Sequence, residues 1–297
     1  MFGDELFNAQ KSLLADVYVK GRKDFMCCRK SQFYKPELVI LSSGRFYIDK
    51  GLSTCKRILY CAECNKVYLY KKRLLLKKVE EYVQQENLTP TMITLTIPHK
   101  VTDKLADLRT TLDKATRNFL SARTNKLMKK INQSVGNEGY IYRNDITYNE
   151  NSGWNPHCHI VQLNKISYSE TQKNQLVDEF ARQLESSGLY LNRLDKLKLQ
   201  VDFKDNFTSL GYLTKYNQEL MELAITNPSK YIELAQSGNK TKVPSMIQLE
   251  KGLMAKVGLS DEPEDNIVNR ISLPESMKNL SADEIARHCN ISALDLI

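Results

Sequence analysis

The sequence predicts an α+β chain, an antiparallel sheet with two amphipathic helices across one face. Three observations carry that expectation. Residues 139–148 and 157–163 are β-rich runs on either side of the turn-forming stretch Asn149-Glu150-Asn151-Ser152-Gly153, the pattern of a hairpin. Residues 196–204 (K-L-K-L-Q-V-D-F-K) alternate without error, as a half-buried strand does, with Leu197, Leu199, Val201 and Phe203 inward. Apolar residues recur every three or four positions in 102–132 (Leu105, Leu108, Leu112, Ala115, Phe119) and in 170–187 (Leu176, Val177, Phe180, Ala181, Leu184), which is the period of a helix with one buried stripe.

Taken in order, residues 1–85 hold five of the seven cysteines: Cys27, Cys28, Cys55, Cys61 and Cys64. Cys61-Ala-Glu-Cys64 has the two-residue gap at which two thiolates grip one Zn²⁺. Cys55 and one of Cys27 or Cys28 complete a tetrahedral four-cysteine set, structural because four thiolates leave no open position. Cys158 and Cys289 are expected to fill core. Residues 1–20 contain no apolar block of signal-peptide length, and no stretch approaches the ~20 apolar residues of a membrane span. A cytoplasmic protein with reduced cysteines and no membrane partner is therefore expected.

Residues 77–87 form a charged connector, and 91–97 (T-M-I-T-L-T-I) a strand stopped by Pro98. With the helix of 102–132, the hairpin, the helix of 170–187 and the strand of 196–204, the order is β-α-β-β-α-β. That is the ferredoxin-like arrangement, both helices on one face of the sheet and the other face open to a substrate. A third helix is expected over 206–224, and the central domain over 86–230. Residues 231–297 include an acidic stretch at 261–265 and a capped helix start at Ser281, and give no functional signal.

The chemistry concentrates in Trp154-Asn155-Pro156-His157-Cys158-His159. Residues two apart on a strand share a face, so His157 and His159 project together and Cys158 faces the other way. Two of the chain's four histidines thus make half a metal site, and Asp145 on the partner strand can supply an oxygen ligand. On the third helix, Tyr212 and Lys215 share a face, and a tyrosine beside a cation near a metal is how a phenol becomes a nucleophile. Tyr216 lies nearer the apolar stripe of that helix.

The chain carries 43 Lys+Arg against 35 Asp+Glu, a net charge of +8 that favours a polyanionic partner. Lys66, Lys71, Lys72, Arg73, Lys77 and Lys78 follow one another with no acid between them, interleaved with Tyr68 and Tyr70. Arg117, Arg123, Lys126, Lys129 and Lys130 form a second basic cluster. Lys71, Lys72, Arg73, Arg123, Lys126 and Lys130 are the expected phosphate contacts.

Thr94-Leu95-Thr96, Asp145 within its I-T-Y strand, W-N-P-H-C-H and Y-x-x-K resemble the ordered motifs of the HUH endonucleases, and with the cysteine spacing they resemble plasmid rolling-circle replication initiators (Rep proteins) over residues 20–220. The resemblance implies a metal-dependent enzyme that nicks and rejoins single-stranded origin DNA. His157, His159 and Asp145 would hold Mg²⁺ or Mn²⁺, and Tyr212 would form a 5′-phosphotyrosine link with Lys215 in support. It also implies plasmid or phage origin DNA, and a host helicase and polymerase, as partners. Three positions depart from the family pattern. Asn155 stands where many relatives have histidine, Asp145 where Glu is common, and Thr208 where some initiators carry a terminating Glu. Tyr212 and Tyr216 have the four-residue spacing of two-tyrosine members, which leaves one or two nucleophiles open. The alternatives are a relaxase or single-strand transposase with the same chemistry, or a non-enzymatic zinc-containing nucleic-acid binder, which would carry exposed aromatics on its central strands.

Overall fold

In the computed structural model, residues 3–15, 17, 37–41, 46–49, 57–121, 123–189, 191, 201–207, 209–237, 247–257 and 267–272 are described. The elements run α1 (Gly3–Leu14), β1 (Glu37–Leu41), β2 (Phe46–Asp49), α2 (Ala62–Gln85), β3 (Thr89–Thr96), α3 (Leu105–Leu120), α4 (Lys126–Ser134), β4 (Gly139–Asn149) and β5 (Gly153–Asn164). There follow α5 (Glu170–Ser186), β6 (Val201–Lys204), a 3₁₀ turn (Leu210–Thr214), α6 (Gln218–Thr226), α7 (Pro228–Ser237), β7 (Ile247–Leu249), α8 (Lys251–Lys256) and β8 (Ile267–Ser272). Two compact units divide the chain, 1–20 with 58–258 and 21–57 with 259–297, so the boundaries expected near 85 and 230 fall inside the first. In the second unit β1 pairs antiparallel with β2 and β8. Among the described residues, no helix is long and apolar enough to cross a membrane.

The first unit is a mixed α+β assembly around a five-stranded sheet of order β6-β3-β5-β4-β7, every neighbouring pair antiparallel. β5 lies between β3 and β4, and its polar and apolar residues alternate about the sheet from His157 to Ile160. Pro156 lies one position beyond the last β3 partner, where β5 is paired on one side only and the missing amide is tolerated. The hairpin turn needs glycine at its exit. Gly153 has φ +79°, and a Cβ there would stand 2.8 Å from the backbone of Val101. Trp154 next to it is fully buried, with its ring 4.9 Å from that of Tyr148.

α3 and α5 pack together over one face, joined by the edge-on rings of Phe119 and Phe180 at 5.8 Å. That face carries Leu95, Ile93, Cys158 and Ile160, all fully buried. The helix expected over 102–132 is in fact two. Asn125 ends α3 and starts α4: its side chain accepts from the Met128 amide and donates to the Phe119 carbonyl, so the chain turns at 121–125. Residues 77–85 of the connector expected at 77–87 belong to the 24-residue helix α2. Leu76 and Val79 bury its apolar side.

The other face is open only in part. Ile141, Val161 and Leu163 stand on it and are fully buried. The 3₁₀ turn rests on this side, and α2 packs against the turn. The expected open face is thereby reduced to the end of the sheet that holds His157 and Asp145.

Candidate metal centre

The register pairs Asp145 with His157 and Arg143 with His159, so these four side chains share one face of the β4–β5 hairpin. Ligand atoms of Asp145, His157 and His159 all lie within 4.8 Å of one another, a group that could hold a metal ion. The two imidazoles are edge-on, centroids 4.9 Å apart.

Each ring is oriented by a second contact. Nδ1 of His157 lies 3.1 Å from the Asn155 carbonyl oxygen. A carbonyl only accepts, so Nδ1 carries a proton and Nε2 is the nitrogen left to face an ion. Nδ1 of His159 meets the Thr94 hydroxyl at 3.1 Å, across the β3 pairing. Burial, with His157 beside it, pushes the pKa of His159 down to about 4, so the ring stays neutral, as ligation requires. The Asp145 carboxylate takes the Ile146 amide on one oxygen and the Arg143 guanidinium at 3.0 Å on the other. Two imidazoles and a carboxylate suit a divalent transition metal or Mg²⁺.

Tyr212 comes to this group by a route other than the expected one. The continuous helix over 206–224 does not form: residues 210–214 make a 3₁₀ turn, Lys215 is extended, and α6 starts afresh after Asn217, whose side chain caps it at the Leu220 amide. Tyr212 and Lys215 therefore share no helical face. The Tyr212 ring nonetheless stands edge-on to His159 at 5.6 Å and to Phe207 at 6.1 Å, and is 45% exposed. Lys215 is exposed. Tyr216 is half-buried, its hydroxyl oxygen shielded from solvent.

The turn is fastened from two sides. From the sheet, fully buried Arg143 donates to the carbonyls of Leu213 at 2.6 Å and Lys215 at 3.0 Å. From α2, Arg73 Nε donates to the Thr214 hydroxyl at 3.2 Å, and Glu80 accepts the Gly211 amide at 3.3 Å. Arg143 escaped the sequence reading. Its signal was a cation two residues before Asp145, on the same face of an otherwise neutral strand.

The chain, compared with protein-family models, curated proteins and solved structures, shows no significant similarity to any of them, so the site is interpreted on its own geometry.

The remaining expected site residues stand apart from this group where they are described. Cys61 and Cys64 are buried at the start of α2, while Cys27, Cys28 and Cys55 lie outside the described residues, as does Thr208. Cys158 is fully buried toward the helix layer, its thiol pushed far up by desolvation. Lys71 and Arg73 are exposed on α2, and the Lys72 ammonium sits 5.7 Å above the Tyr68 ring. Arg123, Lys126 and Lys130 are exposed in and before α4, in the helix layer on the opposite side of the sheet. Only the α2 run borders the turn that carries Tyr212.

Proposed function

We propose that this chain is a metal-dependent single-strand DNA nicking and joining enzyme of the HUH kind, acting as a rolling-circle replication initiator. The observation that carries the reading is the placement of Tyr212 against His159, beside a two-histidine, one-carboxylate group. The strand order β6-β3-β5-β4 with α3 and α5 on one face supports it, because a ferredoxin-like sheet has that order. The strongly basic α2 beside the site supports a nucleic-acid substrate. Cys61 and Cys64 at the start of α2 keep the spacing of a structural zinc pair, to which Cys55 and Cys27 or Cys28 would add the other two thiolates.

His157, His159 and Asp145 would hold Mg²⁺ or Mn²⁺, whose chemistry there is to polarise a phosphate oxygen and offset its charge. The rest is done by the chain. Phe207 and His159 hold the Tyr212 ring from two edges. Its phenol oxygen attacks phosphorus as the bond to the 3′-oxygen breaks; the phenol proton is released and the leaving 3′-oxygen gains one. A 5′-phosphotyrosine and a free 3′-hydroxyl result, and the covalent link keeps the phosphodiester energy for rejoining. Lys215, exposed three residues on, offers a cation to the phenolate or the phosphate.

The test is incubation of the full chain with single-stranded DNA carrying the replicon's nick sequence and Mn²⁺. A protein–DNA adduct that survives SDS and disappears in Tyr212→Phe is expected. Retarded migration without any adduct would replace the enzyme by a binding module.

A further inference from the structure

Arg143 joins the candidate metal group to the turn that carries Tyr212. It is a cation with 2% side-chain exposure, and three contacts run from it to the site: one nitrogen to Asp145 at 3.0 Å, the other to the carbonyls of Leu213 and Lys215 at 2.6 and 3.0 Å. Those carbonyls bracket the turn just after Tyr212. A guanidinium is planar and forked, so meeting a carboxylate and two carbonyls at once fixes the distance between them. An ammonium cannot span all three acceptors. The 3₁₀ bonding of the turn ends with the Lys215 amide on the Tyr212 carbonyl at 3.0 Å; Lys215 itself is extended and α6 begins only at Gln218. Where the turn sits relative to Asp145 therefore depends on side chains, and among the described residues Arg143 bonds both Asp145 and the turn.

We infer that Arg143 is a positioning residue that holds the Tyr212 turn in register with the Asp145–His157–His159 group. This rests on the nicking reading above and adds to it a coupling between ligand and nucleophile. Arg143 restrains Asp145 through the same guanidinium that restrains the turn, and its charge opposes that of an incoming cation. Its removal should therefore act in opposite directions on the two halves of the site. Metal binding gains, because a repelling charge is removed from beside the carboxylate. Nucleophilic attack loses, because a misplacement of about 1 Å costs on the order of a hundredfold.

The experiment uses the full chain with 3-fluorotyrosine at position 212 and the variants Arg143→Lys and Arg143→Met. Mn²⁺ affinity is measured by EPR titration, closeness of residue 212 to the ion by Mn²⁺ broadening of its ¹⁹F signal, and reactivity by adduct yield. Arg143→Lys keeps the charge and is expected to hold Mn²⁺ within about threefold of the parent, with weaker ¹⁹F broadening and about tenfold to a hundredfold less adduct. Arg143→Met is expected to bind Mn²⁺ about tenfold or more tightly while losing adduct. Parental broadening and adduct yield in both variants would overturn the assignment. So would loss of Mn²⁺ affinity and adduct together in both, which marks mere structural support. If the parent forms no adduct but the broadening still falls in Arg143→Lys, the nicking reading fails and the positioning role stands.

Discussion

The ring of Tyr212 meets the imidazole of His159 edge-on, with centroids 5.6 Å apart and planes at 77°. The contact is made by the ring and not by the hydroxyl, so it separates two properties of the site. Tyr212→Phe keeps the edge contact and is expected to leave Mn²⁺ affinity within about twofold. His157→Ala, His159→Ala and Asp145→Ala each remove a candidate ligand and are expected to weaken it by tenfold or more. Calorimetric titration of the four variants checks the contrast.

Tyr216 is the other candidate nucleophile, and its hydroxyl oxygen is shielded from solvent. Tyr216→Phe is expected to leave adduct yield at the parental level. An adduct that vanishes in this variant and persists in Tyr212→Phe would exchange the roles of the two residues.

Asn125 caps α4 with its side-chain oxygen and ties down the Phe119 carbonyl with its amide. Asn125→Ala is expected to cost about 1–2 kcal/mol, the loss of a cap with a buried carbonyl left wanting. Urea denaturation with an unchanged m-value is the measurement.

Gly153 enters β5 at φ +79°, close against Val101. Gly153→Ala combines left-handed strain with a backbone clash and should destabilise by about 2 kcal/mol or more. Because β5 carries both histidines, the thermal midpoint and Mn²⁺ affinity should fall together.

Glu138 accepts hydrogen bonds from Lys256 and Lys165, and these hold its carboxyl below the usual carboxylate range against the opposing effect of burial. A folded pKa below the unfolded one contributes stability above the ordinary carboxylate pKa, and that contribution is lost as pH falls through the folded value. Both lysines are well exposed, so the effect is at most about 1 kcal/mol. Glu138→Gln should flatten the decline in thermal midpoint below pH 4.5 and change little at pH 7.

The strands, and the meeting of Asp145, His157 and His159 on one face, were legible because both follow a period of two. That period put His157 beside His159 and left Cys158 on the far side, and the hairpin turn set Asp145 opposite His157. The helices were less legible. Residues 102–132 keep one apolar stripe through a break that depends on Asn125 reaching both ways, a contact no stripe encodes. The stretch 206–224 carries helical spacing too, yet its middle is pinned by Arg143, Arg73 and Glu80, three residues far off in the chain. Local periodicity cannot register such distant partners. Tyr212 therefore reached the metal group on a different backbone from the one its spacing suggested.

β7 has only three residues, and they lie along Ile141–Arg143, on the flank of β4 away from the histidines. A shortened chain that stopped at 230 would look tidy on a diagram. It would also bare the amides and carbonyls of β4 beside Arg143, a raw margin on which a further strand could settle. Three residues of a dispensable-looking tail thus cover the stretch of β4 that flanks Arg143.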